Sequence, residues 1–415
     1  MHQLARPVSS SVAIVGGGWA GIAAAVRAVA AGCRVELFEM APRLGGRARS
    51  LDDGLDSGQH ILIGAYAESL ALIRAVGVDP AQALLRTPLH LRGPQAEGLR
   101  LPPGHPLAAF ARGVLAHPRW PFAARMALLA QAVRWFAGRF RCAPELSVSD
   151  LCAALPAVIK AELVEPLCVA ALNTPMADAS ASVFLRVLQD ALFSGPGSAD
   201  LLLPRVPLAD LLAHPAERWL RERGAQLHLG RRIVSLDELD AFDRIVVAAP
   251  SLEAARLIEP LDATWASQAR ALRFEPIVTA YVQQEKVPLL APMLMLRDGP
   301  AQFVFDLGQI GHRAGLFAFS ISAAAPWVER GLDATGAAVL EQARAELGWS
   351  SGTLLRVVAE KRATFACTPG LARPRSAVNE RIHAAGDYVD GPYPATLEGA
   401  IRSGPSAVWY KKRHG

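Results

Sequence analysis

Short apolar runs that end at glycines mark the start of the chain. Residues 11–16 form one such run and predict a buried parallel strand, because a strand covered on both faces reads as a continuous hydrophobic segment. Residues 19–31 are rich in alanine, carry one internal charge at Arg27 and stop at Gly32, which predicts a helix. A second strand is predicted over residues 33–39. The pattern is therefore strand, turn, helix and strand within about 30 residues, the length of a nucleotide-binding unit.

Later parts of the chain separate into helical and alternating patterns. Helices are predicted near 67–76, through most of 147–195, and over 208–223 and 394–409. Strands are predicted at 224–229, 244–250, 274–284, 301–307, 316–322 and 354–360, and the last four alternate as antiparallel strands do. The pattern predicts an α/β protein in which a Rossmann-like parallel sheet is joined to a mixed α+β region.

Composition narrows the class of protein. The chain has 415 residues, of which 52% are hydrophobic and 20% charged, so it can bury a large core in one or two domains. The net charge of +5 is modest, and we expect no nucleic acid partner. The five cysteines form no Cys-x-x-Cys pair, which predicts neither a disulfide framework nor a metal site. With no secretion signal and no apolar run of about 18 residues, we expect a cytoplasmic protein that touches membranes only peripherally.

Three glycines with the spacing Gly16-x-Gly18-x-x-Gly21 stand between the first predicted strand and helix. In nucleotide-binding folds the first glycine allows a tight turn, the second lets the backbone approach the pyrophosphate, and the third lets helix and strand pack closely. The helix N-terminus offers free N–H groups to the anion. Glu39 ends the second strand, where its carboxylate is placed to accept hydrogen bonds from ribose hydroxyls. These residues predict a dinucleotide site.

A basic glycine loop follows the second strand. It contains Arg43, Arg47 and Arg49, and a guanidinium group can pair with phosphate through two hydrogen bonds. Arg47 comes directly after two glycines and is predicted to contact the cofactor. The alternative for each arginine is a solvated position on the loop.

A second glycine motif lies near the other end of the sequence. Gly386 and Asp387 close a short apolar run, and Asp387 is predicted to bind the ribityl or phosphate-proximal part of a flavin, the alternative being an ordinary turn acid. Thr396 opens a predicted helix whose dipole would stabilise negative charge on the reduced flavin ring. The two motifs together predict FAD and a chain that folds back on itself.

At these residues the chain resembles the superfamily of FAD-dependent amine oxidases, phytoene desaturases and protoporphyrinogen oxidases. Three internal stretches, 56–66, 171–175 and 184–204, further resemble the squalene-associated branch of that superfamily, which belongs to hopanoid biosynthesis. The resemblance implies an FAD-dependent oxidoreductase that acts on a long isoprenoid. It implies in particular that hydroxysqualene is reduced to squalene by hydride from reduced FAD.

Because both ends carry cofactor motifs, the middle of the chain is expected to carry substrate choice. We predict a discontinuous FAD-binding domain from residues 10–90, 205–254 and 373–412. Residues 91–204 and 255–372 are predicted to form a substrate-binding, membrane-facing domain.

The implied reaction needs an acid to help water leave. His60 lies in a stretch that members of the superfamily place near the flavin, and as imidazolium it could protonate the hydroxyl group. The alternative is a histidine tied to the backbone. Tyr393 is a second catalytic candidate, predicted at the edge of the flavin ring. Tyr66 and Asn173 are predicted to line the substrate pocket.

Residues 98–144 contain no aspartate or glutamate. They carry seven arginines interleaved with aromatic and aliphatic side chains. This composition suits contact with an anionic membrane, because arginine and tryptophan sit well at the bilayer interface. The alternative is a group of helices whose apolar sides pack as ordinary core.

Two other functions stay open at the level of sequence. The same flavin can accept a hydride, so a carotenoid-type desaturase or an amine oxidase would share the cofactor motifs. Lys286 and Lys361 are the middle-to-late lysines that an amine oxidase could place near the flavin. A non-catalytic carrier of prenyl lipids is disfavoured by the intact glycine motif. No second dinucleotide loop is present, so the electron donor that reduces FAD is unidentified.

Overall fold

The structure is a computed structural model that describes residues 10–284 and 288–408, apart from the side chain of Phe193. Within these ranges the strands are β1 (Ser11–Val15), β2 (Arg34–Glu39), β3 (Leu62–Ile63), β4 (Leu84–Thr87), β5 (Leu201–Pro204), β6 (Gln226–Leu229), β7 (Arg244–Val247), β8 (Phe274–Gln283), β9 (Met293–Met295), β10 (Phe303–Asp306), β11 (Leu316–Ile321), β12 (Thr353–Phe365) and β13 (Ile382–Ala384).

Helices connect and cover these strands. They are α1 (Trp19–Ala30), α2 (Ala67–Ala75), α3 (Pro80–Ala83), α4 (Pro106–Ala116), α5 (Phe122–Ala137), α6 (Val148–Leu151), α7 (Ala157–Ile159), α8 (Glu165–Leu172), α9 (Ala181–Phe193), α10 (His214–Glu222), α11 (Ser251–Ile258), α12 (Ala263–Arg270), α13 (Leu307–Ile310), α14 (Ala325–Arg330), α15 (Leu332–Leu347) and α16 (Leu397–Val408). Two π-helical segments, Lys160–Val164 and Ala209–Ala213, run directly into α8 and α10, and a 3₁₀ turn spans Leu236–Leu239.

A five-stranded parallel sheet forms the base of the fold, in the order β13-β7-β1-β2-β6. Its central strand β1 is buried along its whole length, as the continuous apolar run predicts. The outer strand β13 comes from the C-terminal motif and pairs with β7. The expectation that the chain folds back on itself is therefore confirmed.

Helices α1 and α16 pack against each other so closely that a side chain at Gly404 would not fit. A Cβ atom there would lie 2.6 Å from the carbonyl oxygen of Ala20 and 2.7 Å from the backbone nitrogen of Ala24. The contact ties the helix of the first motif to the helix of the last one.

A second five-stranded sheet is antiparallel, in the order β12-β8-β11-β10-β9. One face buries an aromatic and aliphatic core that includes Phe317, Phe319 and Trp349. A small sheet, β3-β5-β4, joins residues that are distant in sequence. Among the described residues, no helix combines the length and the apolar character needed to cross a bilayer.

The predicted strand, helix and strand of the first motif are confirmed at 11–39, and the helix predicted at 208–223 is confirmed over 209–222. The helix predicted at 394–409 begins only at Leu397, because Tyr393 and Ala395 adopt φ angles of 62° and 56° that no helix contains. Its last predicted residue lies outside the described ranges, as does Lys286. The boundaries given above for two domains stay a prediction.

Candidate active site

A long cleft lies at the carboxyl ends of the parallel strands, which is where open α/β sheets bind ligands. Its floor is formed by the N-terminus of α1, the glycine loop at 45–48, the end of β7 at 248–250, and two segments of the C-terminal motif, 386–388 and 395–397. The second sheet covers it with Ile277, Glu360, Ala363 and Thr364. The structure therefore brings Gly18 of the first motif together with Gly386, Asp387 and Thr396 of the second. Arg47 and His60 line the same cleft.

The three glycines of the first motif have different surroundings. Gly16 has a φ of +111°, and a Cβ on Gly21 would lie 1.9 Å from the carbonyl oxygen of Gly16. These two positions exclude a side chain for reasons internal to the fold. A Cβ on Gly18 would meet only the Cα of Gly46, at 3.9 Å, so Gly18 faces open space in the cleft. This is a cradle that a side chain would fill and that a pyrophosphate group fits.

Glu39 lies half-buried beside the glycine turn. One carboxylate oxygen accepts a hydrogen bond from the backbone N–H of Gly17 at 2.6 Å, and the other accepts one from Ala41 at 2.8 Å. The carboxylate thus fixes the turn as well as the end of β2, and each oxygen keeps acceptor capacity for a further donor.

Arg47 makes contacts with both other parts of the site. Its Nη2 donates to Asp387 Oδ1 at 2.5 Å, and its Nη1 donates to the carbonyl oxygen of Ala363 at 2.8 Å. Burial would lower the pKa of Arg47, but the Asp387 carboxylate outweighs it and the pKa is raised. Arg43 instead pairs with the exposed Asp52 on the loop surface. Among the three candidate arginines, Arg47 is therefore the one fixed inside the cleft.

The turn before α16 presents the N-terminus of that helix to the cleft. Thr396 Oγ1 accepts a hydrogen bond from the Gly399 N–H at 2.9 Å and donates one to the Tyr393 carbonyl at 2.8 Å, so it caps the first turn. Thr396 and Leu397 line the cleft. Two helix N-termini, of α1 and α16, therefore face the same groove, which suits a ligand with separated negative groups.

Glu398, on the first turn of α16, is completely buried and was not predicted as a site residue. Its carboxylate accepts hydrogen bonds from the backbone N–H groups of Glu68 and Ser69, the Ser69 hydroxyl and Arg402 Nε, at 2.6 to 3.1 Å. It therefore caps the N-terminus of α2 and holds α16 in place. A lone glutamate in a helix gives no sequence signal for such a contact.

His60 lines the cleft, and its ring is fixed by the backbone. Nδ1 lies 2.8 Å from the carbonyl oxygen of Gly58, which can only accept, so Nδ1 carries a proton. Burial lowers the pKa of His60, so the neutral ring is favoured. In that form Nε2 is an acceptor, and it becomes a donor only when the ring takes up a second proton.

Tyr393 and Tyr66 do not line the cleft, contrary to expectation. The two rings contact each other edge to face at 5.9 Å, and the guanidinium groups of Arg402 and Arg186 lie 4.8 and 5.3 Å from the Tyr393 ring. Burial raises the pKa of both tyrosines. The pair packs behind the turn that presents α16, so the predicted contacts of Tyr393 with the flavin edge and of Tyr66 with substrate have no support in this geometry.

The side chain of Asn173 does not line the cleft, because its amide group is hydrogen-bonded within the fold. Its side-chain nitrogen donates to Thr364 Oγ1 at 2.9 Å and to the Glu275 carbonyl at 3.2 Å, and its Oδ1 accepts from the Ala323 N–H at 2.6 Å. The residue ends α8 in the left-handed conformation. Asn173 thus joins the helical region to the second sheet, and its place in the substrate pocket stays a prediction that these contacts do not support.

A second cavity, of about 50 Å³, lies among α4, α5, α8 and α9. Its walls are side chains without charge, among them Phe110, Trp135, Phe140, Phe184 and Leu188. Helix α9 contributes Phe184 and Leu188 to this cavity, and its Arg186 lies over the Tyr393 ring on the turn before α16.

Sequence reasoning missed cleft residues that come from distant strands. Glu360 and Thr364 belong to β12 and reach the cleft only because the second sheet covers it. Tyr388 also lines the cleft, and its position directly after Asp387 could have indicated this. Its hydroxyl donates to the Ala249 carbonyl at 3.2 Å, and its ring lies where a Cβ on Gly386 would be.

The Rossmann-like sheet, the glycine cradle and the two helix N-termini define an FAD-dependent oxidoreductase. The chain belongs to the flavin-containing amine oxidoreductase family, which matches residues 19–410. Its cofactor is accordingly FAD.

Relatives of known name match almost the whole chain. It is 25% identical to the hydroxysqualene dehydroxylase of Rhodopseudomonas palustris, over 97% of this chain and 98% of the relative. It is 26% identical to the enzyme of the same name from Sinorhizobium fredii, over 96% and 97%. An oxidoreductase structure from Methanosarcina mazei superposes with a TM-score of 0.72 at 16% identity, covering 97% of this chain and 100% of that one, which shows the shared fold.

Proposed function

We propose that this flavoenzyme removes the hydroxyl group of hydroxysqualene and yields squalene. The proposal is supported above all by relatives named hydroxysqualene dehydroxylase that match the chain from end to end. The uncharged lining of the small cavity among α4, α5, α8 and α9 is compatible with an apolar substrate, although its volume of about 50 Å³ is far smaller than a long hydrocarbon. A carrier protein without catalysis is no longer an alternative, since the chain is a flavin oxidoreductase.

The residues of the cleft divide the cofactor between them. Gly18 and the N-terminus of α1 would receive the pyrophosphate, with Gly16 and Gly21 shaping the turn. Glu39 would accept hydrogen bonds from the ribose of the adenosine half. Arg47, Gly386, Asp387 and Thr396, which line the cleft, would hold the flavin half.

The reaction balances as a reductive dehydroxylation. The carbon–oxygen bond of the substrate breaks, a carbon–hydrogen bond forms, and the hydroxyl group leaves with a proton as water. Reduced FAD supplies the hydride when bound, and the protein must supply the proton. His60 is the proton donor in its imidazolium form, because Gly58 holds Nδ1–H and the second proton therefore resides on Nε2.

The decisive experiment is an anaerobic single turnover. The protein is photoreduced and mixed with hydroxysqualene, and we expect the visible absorption of oxidised flavin to return while squalene forms. The proposal would be contradicted if the oxidised protein formed squalene without added reductant. It would also be contradicted if hydroxysqualene failed to reoxidise the reduced flavin. Reduction of the oxidised flavin by phytoene or by an amine would instead establish an oxidative desaturase or amine oxidase.

A further inference from the structure

The outer face of α5 is apolar although it points to solvent. Phe122 is 69% exposed, Met126 42% and Val133 66%, and the exposed Ala130 and Ala137 complete one stripe at helical spacing. The opposite side of the helix is buried, through Ala124, Leu128 and Trp135. A surface helix with two apolar faces indicates that something covers the outer one. We call the five exposed residues the α5 stripe.

The charge beside the α5 stripe is positive. Arg134 lies next to it on the helix, and the exposed Arg139 and Arg141 follow its C-terminal end. Arg119 and Arg125 instead make contacts within the protein. Arg119 pairs with Glu162, and Arg125 donates hydrogen bonds to backbone carbonyls. Residues 98–144 contain no aspartate or glutamate, so no carboxylate from this segment neutralises these arginines.

The α5 stripe also lies over the apolar cavity. Helices α4 and α5 form its outer wall, with Leu128 and Trp135 from α5 turned inward. Leu107 at the start of α4 both lines the cavity and is 40% exposed, so the cavity reaches the surface near this face.

We propose that the α5 stripe inserts into the interfacial layer of an anionic lipid bilayer, and that the isoprenoid passes from the bilayer into the protein on the side where Leu107 is exposed. The stripe supplies the apolar contact, and Arg134, Arg139 and Arg141 supply attraction to the lipid head groups. A second copy of the chain fits less well, because a two-fold contact on this face would bring arginines against arginines. Only the passage of isoprenoid rests on the proposed function.

Vesicle cosedimentation of the FAD-loaded protein tests the docking. Vesicles containing phosphatidylglycerol should bind the protein, and vesicles of phosphatidylcholine alone should bind it much less. The variant Phe122→Gln, Met126→Gln, Val133→Gln should bind about tenfold more weakly, because glutamine keeps the helix and removes the apolar contact. The variant Arg134→Gln, Arg139→Gln, Arg141→Gln should lose the preference for anionic vesicles.

A matched control carries three equally exposed apolar residues elsewhere. The variant Val234→Gln, Leu261→Gln, Leu290→Gln should bind like the unaltered protein. Flavin content and melting temperature report that each variant is folded. The proposal is overturned if the unaltered protein stays in solution with anionic vesicles, or if gel filtration shows a dimer that the α5 stripe variant converts to a monomer.

Activity in two media separates docking from chemistry. With hydroxysqualene in anionic vesicles the α5 stripe variant should turn over about tenfold more slowly, and with substrate in detergent micelles it should match the unaltered protein. Equal activity of the two proteins in vesicles would refute passage from the bilayer. Vesicle binding without turnover in either medium would refute the proposed substrate and leave the docking intact.

Discussion

Arg47 and Asp387 stand 340 positions apart in the sequence, and their side chains form an ion pair with 2.5 Å between Nη2 and Oδ1. The same guanidinium donates to the Ala363 carbonyl on β12. One side chain therefore links the glycine loop, the C-terminal motif and the second sheet. Because each contact is charge-assisted or directed at a backbone carbonyl, the link has a defined geometry.

Replacement of Arg47 by alanine should weaken FAD binding by about 10- to 100-fold, since a hydrogen bond to a charged partner contributes about 1.5–3 kcal/mol. Flavin fluorescence titration of the apoprotein measures the effect. Arg43→Ala is the matched control, because Arg43 pairs with an exposed carboxylate on the same loop. Equal loss of affinity in both variants would show that general positive charge, and not this ion pair, matters.

Two glycine substitutions should fail in different ways. Gly18→Leu should give a folded protein without flavin, because its side chain enters open space that the pyrophosphate needs. Gly21→Ala should impair folding itself, since even a methyl group would overlap the Gly16 carbonyl. Circular dichroism and flavin content distinguish the outcomes, and full flavin occupancy in Gly18→Leu would refute the placement of the pyrophosphate.

Turnover should rise as the pH falls toward the pKa of His60. Burial holds that pKa below its ordinary value of about 6.5, so the donor form becomes abundant only at a pH below that value. His60→Gln should retain FAD, lose about 100-fold in turnover and show no such pH dependence. A pH-independent rate in the unaltered enzyme would leave His60 as a neutral hydrogen-bond acceptor.

Stability should fall as the pH drops below about 6.5, the ordinary pKa of histidine. Burial lowers the pKa values of His60, His117 and His383 in the folded protein, so the unfolded chain takes up protons first as the pH drops. The urea midpoint of unfolding measures this trend. His117→Gln should make the slope shallower, whatever its effect on absolute stability, and an unchanged slope would exclude His117 as a contributor.

Asn173→Ala should lower stability and leave the Michaelis constant unchanged. The side chain makes several buried hydrogen bonds, each worth about 1 kcal/mol, and it holds a left-handed backbone that alanine disfavours. Thermal unfolding and steady-state kinetics at a temperature below the transition provide the two readings. A raised Michaelis constant with normal stability would return Asn173 to the substrate pocket.

Local signals in the sequence were sufficient for the cofactor half of the site. The spacing of Gly16, Gly18 and Gly21 depends on one turn, so the prediction needed no distant contact. Tyr66 and Asn173 lie outside the cofactor cleft, because a polar residue in a recognisable stretch can satisfy its hydrogen bonds within the fold as readily as in a cavity. The late start of α16 was equally hidden, since left-handed Tyr393 has no propensity signal.

Apart from the meeting of the two glycine motifs, contacts over long sequence distances had no signal in the sequence. Glu360 reaches the cleft through the pairing of β12 with β8, and Glu398 caps α2 from the other end of the chain. Conversely, the absence of acidic residues from 98–144 is visible in the sequence. Only the structure shows that Phe122 and Val133 are exposed while Leu128 is buried.

The position of β13 at the edge of the parallel sheet has a consequence for biosynthesis. The strand at 382–384 and the helix after it complete the cleft, so residues up to the start of α16 must leave the ribosome before the flavin can be captured. Until then the nascent chain exposes the outer side of β7 as an unpaired strand edge. The risk of aggregation through this edge therefore lasts until β13 has been synthesised and has paired with β7.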